Sequence, residues 1–422
     1  MKRVLVITYY WPPTGGSGVQ RWVKFAKHLP SLGWQPVIYT PENPEQLAKD
    51  YSLEADIPPE AEVIKRHITE PYAIARSLVG GAGQKGAGVN PVNGQSKSAA
   101  QKAALWVRGN LFVPDPRVWW VRPSVRFLRK YLREHPVDVI VSTGPPQSMH
   151  LIGLELHRAT GIPWVADFRD PWTKLFYFKH LNLGVKAARQ HHDMEQAVLD
   201  GASAVVAVTP LVQADFQQAT RTPVHLITNG YDEADFAKPV PGRTDTRFRI
   251  VHTGLFASDG NPAALWEAIS GLPFRSRIDL RLAGKVDPEI IESIKAAGLE
   301  ANLSELGYLS HDESVRELML SDMLILPLRK EPEYRKVLPG KIFEYLAARK
   351  PVLGIGQEDG AAAKLLTDTG AGVMLDWPRT EAMADFICRV RDGSFRAAGT
   401  GIEACSRLAL TRKMTELFES LI

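Results

Sequence analysis

The chain has 422 residues, with 45% hydrophobic and 23% charged residues and a formal net charge of only +4. This is too long for one ordinary core, so two or three soluble globular domains are expected, and it is no polycation of the kind that binds nucleic acid. Two cysteines, Cys388 and Cys405, rule out a disulfide framework and give no zinc spacing, which points to a reducing, cytoplasmic setting.

In chain order, Val4–Ile7 opens an apolar run too short for a signal peptide or a membrane span, and it reads as a buried strand over Val4–Tyr9. Further strands are expected near Pro36–Tyr39, Val63–Arg66, Val137–Val141, Trp164–Ala166, Ala204–Val208 and Val224–Ile227. A second series falls near Arg249–Thr253, Asp279–Leu282, Glu305–Tyr308, Met323–Pro327, Val352–Ile355 and Val373–Leu375. Helical stretches separate most of these runs, the signature of parallel sheets covered on both faces. The fold class is therefore α/β, with two doubly wound, Rossmann-like domains facing each other across an interdomain cleft. Residues 1–236 form the first domain, 237–247 a Pro/Gly-containing linker, 248–405 the second domain and 406–422 a final helix, with Leu408, Leu410, Met414, Leu417 and Leu421 available for its apolar face. A polar segment over 80–102, without aromatics, is expected to be a flexible surface loop of the lid or insertion type.

Six cations (Arg117, Arg122, Arg126, Arg129, Lys130 and Arg133) are interleaved with Trp119, Trp120, Phe127 and Tyr131, with no acid among them. Such a stretch suits an anionic membrane surface, and it equally suits a helix that packs its aromatic face on its own domain.

The chemistry-bearing motifs sit where strands should end. Trp11-Pro12-Pro13-Thr14-Gly15-Gly16-Ser17-Gly18 follows the first strand; Gly15, Gly16 and Gly18 let backbone approach an anion or sugar at a helix start, or serve a purely structural turn. It is neither a dinucleotide fingerprint nor a Walker loop. Asp167-Phe168-Arg169-Asp170 places two carboxylates and a cation at a buried strand end, either facing substrate or forming a structural pair. His252-Thr253-Gly254 ends the first strand of the second half, and the cation-rich loop Leu328–Lys336 follows a later one.

Pro339-Gly340-Lys341-Ile342-Phe343-Glu344-Tyr345-Leu346-Ala347 then sets Lys341 at a helix start and Glu344 one turn on, on the same face. That pair is either a helix-surface ion pair or a site for a phosphorylated, hydroxyl-bearing ligand, and spacing alone does not decide. His191-His192-Asp193-Met194-Glu195 has the composition of a metal cluster, but solvent-exposed pairs on one helix explain it more simply. No Asp-x-Asp motif occurs, so metal-free chemistry is expected.

Taken together and in this order, the Tyr-Tyr-x-Pro-Pro-x-Gly-Gly opening, Asp-x-Arg-Asp-x-Trp, Thr228-Asn229-Gly230-Tyr231-Asp232, His252-Thr253-Gly254 and Pro-Gly-Lys-x-x-Glu-Tyr-Leu-Ala resemble GT-B-fold glycosyltransferases of family 4 type, especially those of bacterial surface-polysaccharide or glycolipid assembly. The resemblance implies a nucleotide-diphosphate sugar as co-substrate, no cofactor or metal, transfer with retention, and a lipid-linked or saccharide acceptor, at the inner face of the membrane or free in the cytoplasm. It implies that Glu344 accepts from ribose hydroxyls, that Lys341 neutralises the diphosphate and acts in catalysis, and that Gly16 to Gly18 face the phosphates. Two departures stand out. Lys336 occupies the position where the family often has an acid, and no Arg/Lys pair follows Gly254. Diphosphate binding is then expected to rest on Lys341 with Lys330, Arg335 or Lys336; Asp170 is the candidate acceptor-side residue, and Asp170 and Arg169 are the candidate catalytic residues beside Lys341. Competing readings are a nucleotide-sugar 2-epimerase and a non-catalytic protein of the same fold.

Overall fold

A computed structural model of the protein describes residues 1–45, 49–70, 106–174, 178–240 and 242–422. The polar 80–102 segment lies outside the described residues. The chain divides into two compact units, Met1–Thr228 with Leu410–Ile422, and Asn229–Ala409.

The first unit is built on a seven-stranded sheet in the order β3-β2-β1-β4-β5-β6-β7, every pair parallel. The strands are β1 Lys2–Ile7, β2 Trp34–Pro41, β3 Glu62–Arg66, β4 Val139–Gly144, β5 Trp164–Phe168, β6 Ala204–Ala207 and β7 Val224–Leu226. Each expected strand of the first half is present. Their near-continuous apolar character has a direct cause: both faces are covered, so alternate side chains enter different cores. Leu5 and Ile7 join one cluster with Ile140, Trp164, Ala166 and Phe168, whereas Val4 and Val6 join the other with Val139, Val141 and Val165.

The helices that cover this sheet include α1 Ser17–His28, α2 Val118–Glu134, α3 Ser148–Thr160, α4 Val185–Gly201 and α5 Pro210–Ala219. In α2 the aromatic face packs on its own unit: Trp120 is buried, and Trp120 and Phe127 stack on Tyr39 of β2. Its opposite face leaves Arg122, Arg126, Arg129, Lys130 and Arg133 exposed. The chain's last residues also return to this unit. Leu410, Met414, Leu417 and Phe418 insert into the second cluster, with Phe418 edge-on to Trp34 at 5.1 Å.

The second unit carries a six-stranded parallel sheet in the order β10-β9-β8-β11-β12-β13. These strands are β8 Phe248–Thr253, β9 Ile278–Ala283, β10 Leu303–Gly307, β11 Met323–Pro327, β12 Val352–Ile355 and β13 Gly372–Leu375. Its helices include α6 Ala263–Ser270, α7 Pro288–Ala296, α8 His311–Met319, α9 Lys341–Ala347, α10 Ala361–Asp368 and α11 Thr380–Arg391, and α12 Arg407–Glu419 closes the chain. The 237–247 segment is tied to this unit: Arg243 pairs with Asp322 at 2.7 Å and donates to the Leu320 carbonyl.

In both sheets the strand order reverses direction beside the first strand of the unit, between β1 and β4 and between β8 and β11. Such a topological switch point is where connections leave in opposite directions and open a crevice at the strands' carboxyl ends. The sequence motifs fall at these two places.

Candidate functional site

At the first switch point, the loop after β1 brings Tyr10, Gly15, Gly16 and Gly18 beside the loops after β4 and β5. Gly16 has φ +100°, which disfavours any residue with a Cβ, and open space lies where that Cβ would stand. It caps the start of α1 without a side-chain bond, and no acid sits in the helix's first turn. Gly15 packs by Asp50 instead. Gly18 is needed for close packing: a Cβ there would stand 3.1 Å from Arg169 Nη1 and 3.2 Å from Tyr10.

The Asp167–Asp170 segment divides into two functions. Asp167 is wholly buried and is satisfied four times over, by Arg21 Nη2 at 2.8 Å and Nε at 3.1 Å, by Trp22 Nε1 at 2.8 Å and by Thr143 Oγ1 at 2.9 Å. Burial alone would raise this carboxyl; the Arg21 charge and these donors outweigh it and hold Asp167 below the ordinary range. Its partner is thus Arg21 of α1 rather than the neighbouring Arg169, and the structural alternative holds for Asp167. Arg169 is spent on backbone carbonyls, donating to those of Gly18, Gly144 and Pro145 and so stitching three loops together. Asp170 differs from both. It is half-buried, makes no hydrogen bond or ion pair with any described residue, and burial pushes its carboxyl up to about 6 against the pull of Arg169.

The His191–Glu195 segment also departs from expectation. It lies on α4, but His191 and Glu195 face inward, 2% and 8% exposed. Trp172 Nε1 donates to His191 Nδ1 at 3.0 Å, and Glu195 accepts from Thr173. Only the Arg189–Asp193 pair is the exposed i,i+4 kind. Among the described residues no group of three His, Cys, Asp or Glu side chains is placed to hold a metal.

At the second switch point, Pro339-Gly340 ends an irregular stretch and α9 starts at Lys341, as the sequence indicates. Ile342, Phe343, Tyr345 and Leu346 are buried, and Tyr345 Oη accepts from the Thr253 backbone N–H at 3.0 Å, locking the helix to the end of β8. This leaves Lys341 and Glu344 on the free side, both half-buried.

Lys341 Nζ lies 3.2 Å from His252 Nε2 and 3.2 Å from the Leu255 carbonyl. His252 is fully buried, and its Nδ1 is 3.2 Å from the Ile325 carbonyl. Nε2 also lies 3.4 Å from the Leu255 carbonyl, but the Nδ1 contact is the shorter and the Lys341 ammonium, which can only donate, stands at Nε2; the proton is therefore assigned to Nδ1, and Nε2 accepts from Lys341. Burial, reinforced by the Lys341 charge, holds this imidazole well below its ordinary value, hence neutral. Both partners of the ammonium are therefore uncharged, and one of its three donors remains for a ligand. Burial draws Lys341 down to about 8, only partly offset by Glu344. The Glu344 carboxyl is raised by burial, and it forms no hydrogen bond or ion pair with any described residue. Gly254, at φ +90°, supports the arrangement, because a Cβ there would meet Lys341 Nζ at 3.2 Å.

The structure thus gathers Gly254, Lys341 and Glu344, and adds His252 as a partner that sequence motifs placed nearby without giving it a role. Arg335 pairs instead with Asp359 at 2.8 Å on the exposed surface, and Lys336 closes the 3₁₀ turn Pro332–Lys336. The Arg/Lys pair missing after Gly254 is not replaced by Arg329, which is bound to Asp259 at 2.7 Å.

Two family models match the chain. The glycosyl transferase 4-like domain covers residues 15–230, more than half of the protein, and the glycosyl transferases group 1 model covers residues 247–392. The alpha-D-kanosaminyltransferase of Streptomyces kanamyceticus is 26% identical over 152 residues, which is 35% of this chain and 37% of that relative. Solved structures alike over the full length include sucrose-phosphate synthase from Thermosynechococcus elongatus (TM-score 0.65, 14% identity, 100% and 99% of the two chains) and a glycosyltransferase from Rickettsia africae (0.64, 15%, 100% and 98%). A Staphylococcus aureus TarM variant, solved with fondaparinux, alpha-GlcNAc-glycerol and UDP, gives 0.58 at 11% identity over 99% and 100%. At these identities the structural likeness speaks for the fold.

Proposed function

We propose that this chain, which belongs to the glycosyl transferase 4-like family and is a glycosyltransferase of the GT-B fold, moves a sugar from a nucleotide-diphosphate donor to a saccharide or lipid-linked acceptor. The single observation that supports the donor site is the state of Lys341: a half-buried ammonium held by a neutral imidazole and a carbonyl, with no ion pair to any described residue and only a partial offset from the Glu344 charge. A diphosphate would supply the missing charge. Glu344, a carboxylate without a donor, is the complementary feature, fit to accept from ribose hydroxyls.

In this reading the leaving diphosphate develops charge as the glycosidic bond breaks, and Lys341 stabilises that charge more in the transition state than in the ground state. We carry over from the family resemblance that the anomeric configuration is retained and that no metal takes part. Asp170, unpartnered and half-titrated near pH 6, is proposed to accept a hydrogen bond from the incoming hydroxyl.

Calorimetry with uridine and guanosine diphosphates and their sugars tests the donor site. One of them should bind, and Lys341→Ala or Glu344→Ala should weaken it by at least tenfold, since a charge-assisted hydrogen bond contributes about 1.5–3 kcal/mol. Unaltered affinity in both variants removes the site. Incubation with donor alone separates transfer from 2-epimerisation by the appearance of an epimer.

For a lipid-linked acceptor the five exposed cations of α2 are proposed to rest on anionic lipid. Trp119, half-exposed at the start of the same helix, would sit at the headgroup level. Among the described residues no helix is long and apolar enough to cross a membrane. Each basic side chain near an anionic surface contributes about 1 kcal/mol. Reversing Arg126, Arg129 and Arg133 to Glu should therefore abolish co-sedimentation with phosphatidylglycerol vesicles; retained binding would sink the idea.

A further inference from the structure

We propose that Asp235 and His311 are positioning residues of the donor site, a pair that acts on the reaction through Glu344. Their role rests on the transferase reading and deepens it: they keep the ribose-side carboxylate ionised and ready to accept.

The pair is built where the chain enters the second unit. Asn229 is the first residue of that unit, and the stretch that follows is fastened along its length. Tyr231 donates its backbone N–H to the Cys405 carbonyl at 3.2 Å and accepts from the Arg407 N–H at 2.8 Å. Asp232 caps the helical turn Glu233–Phe236 by accepting from the Ala234 N–H at 3.1 Å. Within that turn Asp235 meets His311, the first residue of α8, with Oδ2 2.9 Å from Nε2. A carboxylate can only accept, so Nε2 carries a hydrogen. His311 is itself placed by a capping box, in which Ser310 and Glu313 each accept from the other's backbone N–H.

The same stretch reaches the helix that carries Glu344. Cys405, the partner of Tyr231, ends the 3₁₀ turn Ile402–Cys405, which lies against α9. Arg349, just beyond α9, pairs with Glu403 of that turn at 2.8 Å. A tether between the entry stretch and α8 is already supplied by Lys238, which meets both carboxylate oxygens of Asp312 at 2.8 Å. Holding the stretch in place therefore does not require an imidazole at position 311.

The electrostatics give the ring a second use. Burial raises the Glu344 carboxyl, and His311 is the strongest influence drawing it back, ahead of Lys341 one helical turn away. Asp235 pushes the carboxyl up, and Arg407 draws it down. Ribose hydroxyls donate more strongly to an ionised carboxylate than to a protonated one. A cation at position 311 thus favours the form of Glu344 that a ribose needs. The side chains of His311 and Asp235 are 36% and 19% exposed, and charges so sheltered are screened less by salt than surface ones. Asp235 fixes the ring by its Nε2–H and so fixes where that charge stands.

The test is calorimetry on the full-length protein with uridine and guanosine diphosphates and with their dideoxyribose counterparts. The ribonucleotide that binds should exceed its dideoxy form by about tenfold, the contribution of a hydrogen bond to a charged group. His311→Gln keeps a donor for Asp235 and removes the charge. It should lower that ratio by about threefold and leave the dideoxy affinity, which reports a folded site, as in the wild type. His311→Lys returns a cation and should restore the ratio. In a Glu344→Gln background His311→Gln should cost nothing further, because the two act in series. Equal loss for both nucleotide forms, or a further loss in the Glu344→Gln background, makes the pair part of the scaffold and overturns the proposal. A ratio untouched by His311→Gln overturns it too. If the wild type binds both forms equally and in a Lys341-dependent way, the ribose role of Glu344 and the positioning pair fall together, and the diphosphate site stands. If no nucleotide binds, the donor site falls and takes the pair with it.

Discussion

The two switch points share one topology and treat charge in opposite ways. Behind the β1/β4 crevice, Asp167 and Arg21 are wholly buried, mutually paired and saturated with hydrogen bonds, and Arg169 is consumed by three carbonyls. At the β8/β11 crevice, Lys341 has only neutral partners and Glu344 has none that donates. A charge that is fully answered within the protein serves the fold. A charge left unanswered at a strand's carboxyl end is costly to keep and is suited to a ligand that answers it.

The largest expected effect breaks the answered side. Asp167→Ala would leave Arg21 buried without a counter-charge, and removing one partner of such a pair costs about 3–5 kcal/mol. Denaturant unfolding should show that loss, whereas Lys341→Ala should leave stability unchanged or slightly higher, because it removes an unbalanced cation. If the two variants unfold alike, the distinction between fold-serving and ligand-serving charge is wrong.

A smaller effect sharpens the unanswered side. The Lys341 ammonium titrates near 8 in the free protein, and a bound diphosphate must raise that value. Binding therefore takes up a proton above pH 8. Affinity for the nucleotide should be flat below about pH 7.5 and fall towards tenfold per unit above pH 8, about 1.4 kcal/mol for each unit. Lys341→Arg, whose guanidinium stays charged, should abolish the fall; a fall that persists in that variant assigns it to another group.

The sheets were legible because their central strands are buried on both faces and so read as apolar runs, as Val4–Ile7 and Met323–Pro327 do, whereas the edge strands β3 and β10 are partly exposed and carry polar residues. Lys341 and Glu344 were legible because a Pro-Gly turn and one helical turn fix their spacing locally. The partners were not. Arg21 meets Asp167 across 146 residues, and Lys341 meets His252 across 89, distances over which periodicity carries no information. His191 looked like part of a surface cluster because its helix alternates polar residues. Only the packing of Trp172 and Phe178 turns it inward. The aromatic half of the basic stretch was ambiguous for the same reason, and Tyr39 on β2 resolves it.

The hold that His252 and the Leu255 carbonyl have on Lys341 has a further consequence. A free lysine has about 2 kcal/mol of rotamer entropy to lose when it is immobilised. Here that freedom is already gone when the chain folds, so an arriving anion meets a stationary ammonium and does not have to recruit a swinging one. Association should then be limited by the ligand's own approach, and exchanging His252 for an apolar side chain would slow capture before it hastened release.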